Sequence, residues 1–275
     1  METLTIDEML PAFLLTLFAG LATALGAFLT FTTREDNNKI LSIGLGFSAG
    51  VMIYVSFVEI LVKSQDAFTL QYGNILGESL AIMSFFVGIV LTFFIDQLIP
   101  DKVNPHHALE YNETHIDDID KNDYNALSRV GIFTAIAISI HNFPEGFATF
   151  AMALNDMNTG IAIAFAIAIH NIPEGLAVAL PIQYATKSRK KAFLYATGSG
   201  LTEPIGAVIG YLLLAPLMGN LTLGITFGIV AGIMVYISFD ELLPAARRYG
   251  DDHTAIWGVI TGMFVMALSL ILFKL

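Results

Sequence analysis

The segment IAISIHNFPEGFATFAMAL, residues 136–154, is apolar enough for a membrane helix, yet its middle carries His141, Asn142, Pro144 and Glu145. About 20 apolar residues span the hydrocarbon layer of a bilayer, and an ionisable group there costs on the order of 2.5–3.5 kcal/mol. The arrangement recurs 29 residues later in the segment AIAIHNIPEGLAVALPI. A polar motif that appears twice at this cost predicts a functional site inside a membrane.

The composition of the whole chain agrees with a membrane location. The 275 residues are 55% hydrophobic and 13% charged, whereas soluble domains carry roughly 25% charged residues. The net charge of −11 excludes a nucleic-acid-binding role on electrostatic grounds. Because the chain has no cysteine, a metal ion would bind through His, Asn, Asp, Glu, Met or water.

Apolar runs and basic residues together predict the topology. The runs cover residues 10–32, 40–62, 76–99, 130–154, 159–182, 192–215, 220–244 and 254–273. Of the 13 basic residues, all except Lys63 and Lys274 fall in connections on one side of these eight spans. The positive-inside rule therefore predicts a multi-pass protein of the cell membrane with both termini outside the cytoplasm.

An internal repeat lies within these spans. AGVMIYVSFVEIL (49–61) and AGIMVYISFDELL (231–243) are identical at eight of 13 positions, and GLATALGA (20–27) resembles GLTEPIGA (200–207). The second and seventh spans run in opposite directions, and inverted repeats are a transporter architecture. The predicted fold is thus an all-α integral membrane protein of eight transmembrane helices. Spans 1–3 and 6–8 form the inverted repeat around spans 4–5, and residues 1–275 form one transporter domain.

One long polar connection, residues 100–129, is predicted to be a cytoplasmic loop. Its acidic and polar composition is typical of a solvated linker. It contains His106, His107 and His115, so a metal-collecting or regulatory role is the alternative.

Polar residues of three spans fall at the same depth. His141, His170 and Glu203 each lie 12 residues from a polar residue at the edge of their span. At 1.5 Å per residue each is about 18 Å deep in a layer about 30 Å thick. A bound cation is the simplest partner that would offset the cost of burying three such groups.

Helical spacing groups these side chains further. Residues four apart share a helix face, which predicts that His141 pairs with Glu145 and His170 with Glu174. Asn142 and Asn171 lie about 100° round the helix, within reach of a second ion or a water. The prolines at 144 and 173 are expected to kink and open their helices at this level.

The donor set indicates which ions would bind. Imidazole nitrogen with carboxylate oxygen suits Zn²⁺, Fe²⁺, Mn²⁺ or Co²⁺ better than Ca²⁺ or Mg²⁺. The three glutamates, Glu145, Glu174 and Glu203, could balance one ion with charge to spare or bridge two ions.

Five further residues are candidates for an entrance and an exit. Glu59 is predicted near the outer end of span two, and Met52 lies on the same helix face. Asp96, Asp240 and Glu241 are predicted near the inner ends of spans three and seven. Acids that merely face interfacial water, and a methionine that merely packs, are the alternatives.

The doubled motif also carries a family resemblance. HNFPEG (141–146) and HNIPEG (170–175), together with SGLTEPIG in span six, resemble the signature of the ZIP family of divalent-metal transporters. The His-Asn pair in both copies is similar to a bacterial type of zinc transporter within that family. The resemblance extends over nearly the whole chain.

The resemblance implies a site and an activity. It implies a two-metal site at mid-membrane, bridged by Glu145 and Glu174 and able to accept several metals. The ligands it implies are His141, Asn142, Glu145, His170, Asn171, Glu174 and Glu203. It further implies a homodimer in the lipid bilayer that imports Zn²⁺ first, and also iron, manganese, cobalt or cadmium, by an elevator-like motion. The metal is then the cargo, so no cofactor and no enzymatic activity are expected.

Two other functions use similar residues. An intramembrane metalloprotease carries H-E-x-x-H, but Asn142 and Asn171 occupy the position of its general base. A metal-gated channel is the second alternative, since gating cannot be read from sequence.

Overall fold

A computed structural model describes residues 6–32, 38–97, 121–214, 219–250 and 252–272. Within these ranges all regular structure is helical, which confirms the all-α class. The helices are α1 (Ile6–Leu29), α2 (Asn38–Tyr72), α3 (Asn74–Gln97), α4 (Lys121–Asn155), α5 (Met157–Thr186), α6 (Arg189–Gly200), α7 (Thr202–Leu214), α8 (Asn220–Arg248) and α9 (Asp252–Leu272). A 3₁₀ turn, Thr30–Thr32, follows α1.

Six helical segments among the described residues are long and apolar enough to cross a membrane. They lie in α1, α2, α3, α5, α8 and α9. The predicted span four corresponds to α4, which is more polar, and span six corresponds to the consecutive helices α6 and α7, which are each too short to cross a membrane alone. These helices carry the first copy of the repeated motif and Glu203.

Several helix ends differ from the predicted spans. Helix α2 continues to Tyr72, α8 continues to Arg248, and α4 begins at Lys121. Residues 121–129 of the predicted loop are therefore helical, because polar residues can extend a helix whose backbone is already hydrogen-bonded. The loop histidines, His106, His107 and His115, lie outside the described residues.

The irregular turns occur away from the motif prolines. Helices α4 and α5 continue through Pro144 and Pro173 without a break, so the expected opening stays a prediction. Instead, α2 and α8 each contain one π-helical turn, Ser56–Ile60 and Ser238–Leu242. These turns occupy equivalent positions of the sequence repeat.

The two π turns share the same local chemistry. The hydroxyl of Ser56 donates to the carbonyl of Met52 at 2.6 Å, and that of Ser238 donates to the carbonyl of Met234 at 2.7 Å. Each turn closes with an N–H donated back five residues, by Leu61 to Ser56 in the first. A π turn inserts a residue into the helical register, and such turns are frequent at functional sites. Here they carry Glu59 and Glu241.

Close backbone contacts recur between the two repeats. A Cβ on Gly20 would overlap the carbonyl oxygen of Gly200, and a Cβ on Gly200 would overlap that of Gly20. These two glycines are equivalent in the sequence repeat, so the repeats meet each other there. Only glycine permits helices to approach this closely.

Close contacts of the same kind identify a third pair of equivalent helices, α3 and α9, which the sequence did not reveal. A Cβ on Gly88 of α3 would overlap the carbonyl oxygen of Ile229, and one on Gly262 of α9 would overlap that of Phe47. Phe47 and Ile229 are equivalent in the AGVMIYVSFVEIL repeat, so Gly88 and Gly262 are equivalent as well. Helix α3 therefore packs on α8 as α9 packs on α2.

The repeated helices run in opposite directions. The hydroxyl of Ser64, late in α2, donates to the carbonyl of Gly224 at the start of α8. At the other end of the pair, Ser42 of α2 lies against Gly250, just after α8. Helices α2 and α8 are therefore antiparallel, and their π turns lie toward opposite ends of the molecule.

The helices pack in two groups. Helices α1, α4, α5, α6 and α7 form the first group, and α2, α3, α8 and α9 form the second. The groups meet mainly where α2 packs on α5 and where α4 packs on α8. One hydrogen bond between them runs from the Ser48 hydroxyl to the carbonyl of Pro173, at 2.7 Å.

Candidate metal centre

The two motif helices place their histidines and glutamates opposite each other. Nε2 of His141 lies 3.1 Å from Oε1 of Glu174, and Nε2 of His170 lies 3.1 Å from Oε1 of Glu145. The predicted pairing within each helix is therefore wrong, since each histidine contacts the glutamate of the other helix. Four residues further along α4, from 141 to 145, the facing position on α5 moves four residues back, from 174 to 170. This is the relation between facing positions on antiparallel helices.

The asparagines connect the motif to the flanking helices. Nδ2 of Asn142 donates to the carbonyl of Ser199 at 3.3 Å, and Nδ2 of Asn171 donates to that of Ala19 at 2.8 Å. Asn171 also donates to Oε1 of Glu203. Glu203 thus joins the same group of side chains from α7.

All seven predicted ligands are buried. Their exposed fractions do not exceed 5%. Each of the seven also has one buried nitrogen or oxygen atom without a hydrogen-bond partner. These atoms are Nδ1 of His141 and His170, Oδ1 of Asn142 and Asn171, and Oε2 of Glu145, Glu174 and Glu203. Buried polar atoms are nearly always paired, so the seven atoms on these three neighbouring helices call for partners such as water molecules or ions.

A small cavity of about 20 Å³ adjoins this group on the side of the molecule that contains Glu59. Glu59 and Lys63 line it together with Glu145 and His170. Oε1 of Glu59 lies 2.8 Å from Nζ of Lys63, and both side chains are about one quarter exposed. The entrance predicted at Glu59 therefore carries a lysine as well as an acid.

A second acidic group lies at the opposite end. Asp96 of α3 and Asp240 and Glu241 of α8 place carboxylate oxygens within 4.8 Å of one another. The hydroxyl of Tyr236 donates to Oδ2 of Asp96 at 3.5 Å. The three acids proposed separately for the exit are thus one cluster.

An apolar layer separates this cluster from the central group. The cavity there measures only about 10 Å³ and is lined by Thr92 and six apolar residues, including Phe133, Ile140 and Ile233. The seven central residues do not line it. The cavity on the Glu59 side therefore reaches Glu145 and His170 of the central group, whereas the cavity on the Asp96 side is lined by none of the seven.

Met52 lies elsewhere. It is fully buried in the main apolar core beside Met234, its equivalent in the repeat, and it does not line the cavity at Glu59. Its role as a metal contact stays a prediction.

Comparisons with known proteins agree with this arrangement. The sequence model of the family described as ZIP zinc transporter matches residues 8–270. The chain belongs to the ZIP family. It is 54% identical to the zinc transporter ZupT of Chlorobium chlorochromatii over 97% of its own length and 99% of that protein. It is 52% identical to ZupT of Campylobacter jejuni, with 97% of each chain covered.

Family membership confirms part of the sequence interpretation. The predicted resemblance to a bacterial zinc transporter type is correct, since the relatives are zinc transporters named ZupT. A ZIP protein is a membrane transporter, so this chain is a multi-pass membrane protein and not an enzyme. The metalloprotease alternative is thereby removed.

Two residues of this ZIP chain were not singled out from the sequence. Lys63 follows Glu59 by one helical turn, and that spacing alone indicates an ion pair. Thr23 aligns with Glu203 when GLATALGA is placed over GLTEPIGA. The alignment contained this signal, but nothing in it marked Thr23 as buried beside the motif.

Proposed function

We propose that this chain imports divalent transition metal ions into the cytoplasm, Zn²⁺ first and also iron, manganese, cobalt and cadmium. The names of its relatives support zinc as the cargo. The donor set supports the wider range, because imidazole and carboxylate ligands suit several divalent first-row metals.

The observation that carries the proposal is the set of seven unpaired buried atoms. His141, Asn142, Glu145, His170, Asn171, Glu174 and Glu203 would be the ligands of two ions. Glu145 and Glu174 would bridge them. Each of these two carboxylates faces both motif helices, with Oε1 toward the opposite histidine and Oε2 still without a partner.

The membrane arrangement proposed for this function has eight spans. Helices α4 and α6–α7 are included because their polar residues face the interior of the bundle, where neighbouring helices rather than lipid surround them. Both termini lie outside the cytoplasm, following the distribution of basic residues. The Glu59 end is then extracytoplasmic, and the cluster of Asp96, Asp240 and Glu241 faces the cytoplasm.

The path of an ion follows from these positions. A hydrated ion enters past Glu59, exchanges water for the central ligands, and leaves past the Asp96 cluster. All seven central residues belong to the first helix group, whereas Glu59 and the three exit acids belong to the second. An elevator-like shift of the first group against the second would therefore carry the bound ions from one opening to the other. Inward movement of a doubly charged ion gains about 4.6 kcal/mol per 100 mV.

Uptake into proteoliposomes tests the proposal. The purified chain should accumulate ⁶⁵Zn²⁺, and Glu145→Gln, which keeps the shape but removes the charge, should reduce uptake by about a hundredfold. Glu78→Gln is the matched control, because Glu78 is an exposed carboxylate at the start of α3.

The outcomes separate the alternatives. A folded wild-type protein that moves no divalent metal contradicts the proposal, and full activity of Glu145→Gln contradicts the assigned site. Flux that does not saturate with metal concentration would favour the channel. The homodimer implied by the family resemblance is proposed with it, and chemical cross-linking in the bilayer would detect it.

A further inference from the structure

The contacts around the central group obey the same twofold relation as the repeat. His141 and His170 make equal contacts to the facing glutamates, and Asn142 and Asn171 donate to the carbonyls of Ser199 and Ala19. Ser199 and Ala19 occupy equivalent positions of the two GL repeats. The centre is therefore built from two matching halves.

The backbone contacts next to the centre match in the same way. A Cβ on Gly146 would overlap the carbonyl oxygen of Glu203, and a Cβ on Gly175 would overlap that of Thr23. Gly146 and Gly175 are the glycines that close the two copies of the motif. Thr23 of α1 thus occupies the position next to Gly175 that Glu203 of α7 occupies next to Gly146.

At this one equivalent position the two halves carry different donors. Glu203 offers a carboxylate beside Asn171, which donates to it. Thr23 offers a neutral hydroxyl, and its Oγ1 faces Gly200. The residue before Gly200 is Ser199, whose carbonyl receives the Asn142 amide. The Thr23 hydroxyl and the Asn142 side chain therefore contact two consecutive residues, Gly200 and Ser199.

The Thr23 hydroxyl is also buried without a hydrogen-bond partner. A helical threonine commonly donates to the carbonyl four residues earlier. Thr16 of the same helix does so, donating to Ala12 at 3.0 Å. The corresponding acceptor for Thr23 is the carbonyl of Ala19, which instead receives the amide of Asn171 at 2.8 Å. Asn171 of the motif thus occupies the Ala19 carbonyl that would otherwise accept a hydrogen bond from the Thr23 hydroxyl.

We propose that the Thr23 hydroxyl oxygen is a further ligand of the transported divalent cation, bound directly or through one water beside Asn142. It is the neutral counterpart of Glu203 beside Asn171. The two ion positions then differ by one negative charge, so the ion beside Thr23 and Asn142 is held more weakly. The inference rests on the proposed function, because it adds a ligand to the same centre.

Zinc binding to the purified full chain in lipid nanodiscs tests the proposal. Isothermal titration with Zn²⁺, with the number of bound ions measured by mass spectrometry, compares wild type, Thr23→Val and Thr23→Ser. Valine keeps the shape of threonine without its hydroxyl, whereas serine keeps the hydroxyl. We expect Thr23→Val to weaken one of two bound ions by about tenfold and Thr23→Ser to bind as wild type.

Thr16→Val is the matched control, since Thr16 is an equally buried threonine of α1 whose hydroxyl is satisfied by its own helix. It should bind two ions with wild-type affinities. Glu203→Gln should weaken the other ion, so its effect and that of Thr23→Val should add in the double variant. Thr23→Ala replaces Thr23→Val if the latter does not fold.

The outcomes distinguish this inference from the function on which it rests. Equal binding by Thr23→Val and wild type would overturn the role of Thr23 while leaving the transporter intact. An equal loss in Thr16→Val would overturn it as well, because the effect would then come from packing. A wild-type protein that binds no Zn²⁺ would overturn both the inference and the proposed function.

Discussion

The two π turns are built from one sequence motif but have different electrostatic surroundings. Glu59 lies within the first turn at a partly exposed position and pairs with Lys63. Glu241 lies within the second turn at a buried position and clusters with Asp96 and Asp240. The repeat fixes where an acid is placed, and its neighbours decide how strongly that acid attracts a cation.

Two substitutions between the repeats account for the contrast. The position equivalent to Lys63 is Ala245, so the Glu241 end lacks the lysine at that turn. The position equivalent to Asp240 is Val58, so the Glu59 end lacks the second acid. At one end the acid is paired with a lysine one helical turn away, and at the other end three acids lie together.

The largest effect is expected when the lysine is copied to the acidic end. Ala245→Lys would place an ammonium one helical turn after Glu241, where two unit charges 4 Å apart attract by about 4 kcal/mol at an effective dielectric constant of 20. We expect ⁶⁵Zn²⁺ uptake to fall by about tenfold or more. Ala245→Met, similar in length but uncharged, is the control, and an equal loss in both variants would attribute the effect to crowding at this buried site.

A smaller and opposite effect is expected when the lysine is removed from the entrance. Lys63→Met frees the Glu59 carboxylate and removes a positive charge from the cavity that His170 also lines. Exposed ion pairs are worth about 0–1 kcal/mol, so we expect the KM for Zn²⁺ uptake to fall by about threefold. Lys63→Arg should retain the wild-type KM. An increased KM in Lys63→Met would show that the lysine positions Glu59 for the metal.

The smallest effect is expected from copying the second acid to the entrance. Val58 is 43% exposed, so an aspartate there faces the surroundings of the bundle rather than the cavity. We expect Val58→Asp to change the KM for zinc by less than about twofold, while the cost of an outward-facing aspartate in a membrane helix lowers only the amount of folded protein. A large gain in uptake would mean that the charge difference between the ends depends on Val58 more than on Lys63.

The sequence predicted those features that depend on spacing along one helix. The helical class and the repeat of α2 in α8 follow from residue intervals, whereas the mid-membrane depth of His141, His170 and Glu203 stays a prediction. The seven candidate ligands came from the motif and the family resemblance. The structure places them in one buried group, although their binding of metal is still a prediction.

Features that depend on how helices dock were missed. The crossed contacts of His141 with Glu174 arise only when two antiparallel helices face each other, which intervals within one helix cannot show. The equivalence of α3 and α9 appears only in the contacts of Gly88 and Gly262, because these apolar helices share little sequence. Lys63 is a different case, because its four-residue spacing from Glu59 already indicated the ion pair.

The contact between Gly20 and Gly200 also constrains how the protein is made. At 5–20 residues per second, the ribosome needs on the order of 10–40 s after Gly20 to reach Gly200. During that interval α1 waits in the membrane without the helix that completes its packing, and Asn171 is inserted before Glu203 exists. The seven buried residues of the central group can therefore come together only after Glu203 has been synthesised, late in biosynthesis.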